Sequence, residues 1–169
     1  MDDDAQGFPG RSPDLAYEIG KSKLEVQFEA IDALDNKVGV TFGFASAILA
    51  IPLALLALDP EFRHWLVIAL LSGGGVAYLV CSVLSFLSLR PRNWSSGPNL
   101  TDLWDLSRQA NYSGDGLRWW AAEVYKTSYE ANERPLSCKA RQTLRAMVLL
   151  AIETGLMAGG LIAALALSA

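Results

Sequence analysis

The sequence predicts an all-α integral membrane protein with three transmembrane helices, and three windows carry that prediction. Residues 38–58 (21 residues) and Trp65–Leu89 (25 residues) contain no charge, and residues 146–169 (24 residues) contain only Glu153. A bilayer core of ~30 Å needs roughly 20 helical residues at ~1.5 Å each, so all three windows are long enough. Hydrophobic residues make up 51% of the 169. Buried helices of a soluble bundle rarely lack a polar face over such lengths.

Taken in order, residues 1–12 hold Gly, Pro, Ser and acids and are expected to be disordered. The start MDDDAQG is acidic, unlike a secretory signal, so the first span is expected to be a retained anchor. Over 13–37, Leu15, Ile19, Leu24, Phe28, Ile31 and Leu34 recur at helical spacings, with Glu18, Glu25, Glu29, Asp32 and Asp35 between them. This amphipathic helix is too acidic to lie on anionic lipid and is expected to pack on another helix before entering the span at 38–58. In that span Gly39, Gly43 and Ala47 sit four apart, a small-residue stripe suited to close helix packing, and Pro52 is a potential kink.

The second span, 65–89, aligns Cys81, Ser85 and Ser88 on one face, with Ser82 beside them. RPR at 90–92 then ends it at a basic, proline-broken edge. In the segment 90–144, LTDLWDLSRQA reads as a short helix capped by Thr101, and NYSGDG as a turn. A helix from Leu117 carries Trp119, Trp120, Val124, Tyr125 and Tyr129 and is expected to stop near Asn132, before Pro135. Ser137 is expected to cap a last helix that enters the membrane at 145–168, where Gly155 and Gly159 form a second small-residue pair.

Of the 14 basic residues, all but Arg63 lie in the N-terminal arm or between Arg90 and Arg145. By the positive-inside rule the N-terminus and 90–144 face the cytoplasm, and the C-terminus lies outside. Cys81 lies in a span and Cys138 on the cytoplasmic side, so no disulfide is expected. The single histidine, His64, has no partners at metal-ligand spacing. No nucleophile elbow or phosphate-binding loop with its lysine is present, so neither catalytic residues nor a cofactor are expected.

The order of elements carries a resemblance. A helix with EAIDALDNKVG enters an apolar hairpin ending LSLRPR, and YEANERPLSCKARQTLRAM leads to the third span. Over most of residues 15–165 this resembles the small membrane effectors of Pycsar anti-phage systems. The resemblance implies a bacterial inner-membrane effector of abortive infection. It would respond to cyclic UMP or cyclic CMP made by a pyrimidine nucleotide cyclase and impair the membrane; nucleic acid is not an expected partner. The alternative is a non-toxic scaffold or accessory subunit whose cytoplasmic helices dock a protein.

A cyclic pyrimidine nucleotide needs a cation for its phosphate, a flat surface for stacking and polar groups for the base edge. Arg118, Trp119, Lys126, Asn132, Lys139 and Arg141 offer these types. The same aromatics and cations would equally suit a membrane interface facing anionic lipid. Three helices per chain cannot enclose a useful pore, so a disruptive form implies a homo-oligomer in the bilayer, with the small-residue stripes as seams. Glu153, with Ser82 and Ser85, is the candidate polar lining of its interior. The other use of Glu153 is a structural contact to Tyr78, Ser82 or Ser85.

Overall fold

The computed structural model describes residues 12–58, 64–108 and 114–168. Residues 1–11 of the expected disordered arm, 59–63 of the short loop and 111–113 of the NYSGDG turn lie outside these. The order of elements is α1 (Pro13–Leu58), α2 (Trp65–Leu89), α3 (Leu100–Ser107) and α4 (Gly114–Ser168). The fold is all-α, and α1, α2 and α4 are each long and apolar enough to cross a membrane. At most 28% of the residues in each apolar window are buried. The outward faces are therefore apolar too: Val83, Phe86 and Ile162 are all exposed.

Local chemistry explains the helix ends. Ser12 accepts the Leu15 N–H at its Oγ (3.3 Å), and Pro13 takes the first helical position, where no N–H is missed. His64 caps α2 by accepting the Leu66 N–H at Nδ1 (3.4 Å). At its far end Arg90 leaves the helical region, with ψ 129°, as a residue preceding proline tends to do. The short helix α3 is capped by Asn99 and not by Thr101: the Asn99 Oδ1 accepts the Thr101 N–H at 3.2 Å.

A larger departure concerns Pro135. The expected break is absent, and α4 runs through it for 55 residues. Proline removes the N–H that would reach the Ala131 carbonyl. Neighbouring contacts hold the helix on course: Arg92 donates to the Pro135 carbonyl (2.7 Å), and Asn132 and Ser128, one and two turns earlier, bond to Ser95. Tertiary contacts outweigh the local preference here.

The chain forms two compact units. The first takes the α1 residues up to Ile31 and Arg92–Leu136, and the second takes Asp32–Pro91 and Ser137–Ala169. The second unit begins before the uncharged windows and includes an ion pair, Lys139 Nζ to Asp35 Oδ2 at 2.6 Å. Its buried positions recur every seven residues. In α2 these are Val67, Gly74, Cys81 and Ser88; in α4 they are Lys139, Ala146, Glu153 and Gly160. In α1, Val38, Ala45 and Pro52 keep the same interval. That repeat belongs to helices packed along a left-handed seam.

The glycines at that seam are not those of the expected stripes. A Cβ on Gly74 would lie 2.7 Å from Met157 Cε, and one on Gly160 would lie 2.8 Å from Leu71 Cδ2. Gly39, Gly43, Gly155 and Gly159 have nothing within 4 Å, and Ala47 is exposed, so within one chain these residues seat no neighbouring helix.

Candidate functional site

In the first unit α1 and α4 frame a groove of about 460 Å³. Trp119, Lys126 and Tyr129 line it from α4, and Lys23 lines it from α1. Trp119 and Lys126 are seven residues apart, nearly two full turns, so they share a face. Trp119 is 41% exposed and offers a stacking surface. Glu123, Glu130 and Glu133 also line the groove, and Lys126 pairs with Glu123 at 3.6 Å. The titratable lining thus mixes cations for a phosphate with carboxylates that can accept from N–H groups.

Arg118 is not part of this groove. Successive helical residues point about 100° apart, so Arg118 turns away from Trp119. Eight residues leave Arg118 about 80° round the helix from Lys126, and the two line different grooves. Arg118 pairs with Asp14 and lines a second, mostly apolar groove of about 560 Å³ with Tyr17, Leu103 and Trp104. Trp104 and Tyr17 stand outside the site residues expected from sequence. The aromatic content of LTDLWDLS and the α1 spacing were the available signals, but neither indicates which residues meet.

Three other expected ligand residues are engaged in structure. Asn132 is 2% exposed, accepts the Ser95 N–H at Oδ1 and donates to the Ser95 carbonyl from Nδ2, both at 2.9 Å. Lys139 is buried in its pair with Asp35, and Arg141 Nε donates to the Ser137 carbonyl at 3.3 Å. Lys139 and Arg141 belong to the second unit. Tyr125 sits against Tyr17 edge to face, with ring centroids 5.6 Å apart. Burial pushes its phenol above the ordinary tyrosine value, and Tyr17 adds to the shift.

The second unit carries polar groups along its interior. Ser88 and Thr143 hydroxyls meet at 3.3 Å, and the Cys81 thiol donates to the Ala146 carbonyl at 3.4 Å. Tyr78 and Ser46 hydroxyls meet at 3.3 Å, and Tyr78 stacks on Phe42. Ser82 is half-buried and donates to its own helix, at the Tyr78 carbonyl (2.9 Å). Hydroxyls bonded in this way are satisfied without water. Ser85 is buried near Cys81. Glu153 is 0% exposed, and neither carboxyl oxygen has a hydrogen-bond partner. It is thus enclosed by its own chain, and neither oxygen is hydrogen-bonded to Tyr78, Ser82 or Ser85. Among the described residues no His, Cys, Asp and Glu side chains group to hold a metal.

Comparison with known proteins finds no matching family model, no similar curated protein and no similar solved structure.

Proposed function

We propose that this protein is a bacterial inner-membrane effector of anti-phage defence that responds to a cyclic pyrimidine nucleotide and impairs the membrane. The observation that carries the reading is the pairing of two units in one chain. One is an apolar three-helix unit enclosing a carboxyl group, and the other a polar helical unit with an aromatic, lysine-flanked groove. The base stacks on Trp119 with its N–H groups toward the glutamates, and Lys23 and Lys126 meet the phosphate. A charge-assisted contact contributes about 1.5–3 kcal/mol and a stacked base about 1–3, so a few contacts reach micromolar affinity at ~8 kcal/mol.

In this reading the N-terminus and the groove face the cytoplasm and the C-terminus lies outside. A cyclase supplies the nucleotide as its product. Copies associate through the outward stripes at Gly39, Gly43 and Ala47 and at Gly155 and Gly159. The test is leakage from dye-loaded liposomes holding the full chain with its groove outward. Leakage on adding cyclic UMP or cyclic CMP, but not purine cyclic nucleotides, is the expected result, with Trp119→Ala and Lys126→Ala each weakening the response about tenfold or more. Silence from folded, correctly oriented protein favours the second reading, a scaffold that docks a cytoplasmic protein. The apolar side of α3 supports that alternative, with Leu100 81% and Trp104 60% exposed.

A further inference from the structure

We propose that Glu153 is a proton-binding site enclosed within a single chain, and that the three-helix unit stays closed only while the proton is bound. The position is shut off along the seam. Two turns before it, Ala146 meets the Cys81 thiol, and one turn after it Met157 fills the space that Gly74 leaves open. Both carboxyl oxygens lie without a donor at 0% residue exposure.

Every element packed around Glu153 was built without a cation to meet it. On α2 the titratable groups are Tyr78 and Cys81, neither of them a cationic side chain, and both already bonded, to Ser46 and to the Ala146 carbonyl. On α1 residues 38–58 hold no titratable group, and on α4 residues 146–168 hold none besides Glu153. The charged pair Asp35–Lys139 lies two heptads earlier on α4 and is bonded to itself. An ionised carboxylate in such a place lacks both water and a counter-charge, a costly state inside a membrane. The neutral acid avoids that cost. Losing the proton to water would leave the anion, which can be solvated only if water enters between the helices.

The inference goes beyond the proposed function and needs no nucleotide, so the two can fail separately. Infrared spectroscopy of the full chain in liposomes of ether-linked lipid, which carries no ester carbonyl, tests it. The wild-type protein at neutral pH should show the carbonyl stretch of a protonated carboxylic acid, and E153Q should lack it. A wild-type spectrum without that band overturns the proton site. As alkali removes the band, amide protection in the α2 and α4 spans, taken relative to the intrinsic exchange rate at each pH, should fall about tenfold in the wild type. E153Q, neutral at every pH, should change less than about twofold over the same range. Loss of the band with unchanged protection overturns the link between proton and closure. The wild-type titration stands alone if E153Q fails to insert.

Discussion

Asn132 holds both backbone polar groups of one residue, the N–H and the carbonyl of Ser95, from a buried place on α4. Asn132→Ala leaves both without that partner and is expected to cost about 1–3 kcal/mol, read as a lower melting temperature and faster proteolysis within 92–98. Tyr125 predicts a pH effect. Its phenol holds its proton to higher pH in the fold than in the unfolded chain, where it is lost near about 10. The unfolded state then binds fewer protons, so stability is intact below that value and falls as pH rises beyond it. Tyr125→Phe keeps the ring and removes this part of the alkaline loss, measurable as a shallower fall of melting temperature with pH. At the groove, Trp119 and Lys126 act on one face while their neighbour Arg118 serves another.

At the scale of elements, the same residue type has opposite consequences at different places. Gly97 has φ +92°, and a Cβ there would lie 2.7 Å from the Tyr125 ring. Gly97→Ala is therefore expected to destabilise the first unit by at least about 1–2 kcal/mol from backbone strain alone. Gly39 is helical and open, so Gly39→Ala should leave the chain's own melting temperature unchanged or raise it slightly. If copies associate along that stripe, the same substitution lowers the yield of cross-linked oligomer. The hydroxyls of the spans show how polar side chains are tolerated: Thr41, Ser46, Ser82 and Thr154 each donate to a carbonyl four residues back.

For the whole molecule, the two cysteines report the topology. Cys138 is exposed and Cys81 is buried in a span. A membrane-impermeant maleimide should label Cys138 in inverted vesicles and not in intact cells, whereas Cys81 should react only after denaturation. Labelling of Cys138 from the outside would reverse the proposed orientation.

The three spans were legible from sequence because crossing a membrane depends on a sum, the transfer of about 20 side chains and their backbone, which composition measures directly. The acidic first helix and the basic exit at Arg90 were legible for the same reason. Which faces meet was not. In a soluble helix polarity marks the outside, but Val83 and Phe86 on the outer face of α2 are as apolar as Val67 and Leu71 within. Small residues could then be read on either side, and it is Gly74 and Gly160 that close the seam, not Gly39 and Gly43. The candidate groove was half legible: Trp119 and Lys126 share it, but Asn132 is spent on Ser95 and Arg118 on Asp14. The persistence of α4 through Pro135 and the enclosure of Glu153 also belonged to the tertiary structure. Both depend on contacts between residues far apart in sequence, which no local pattern encodes.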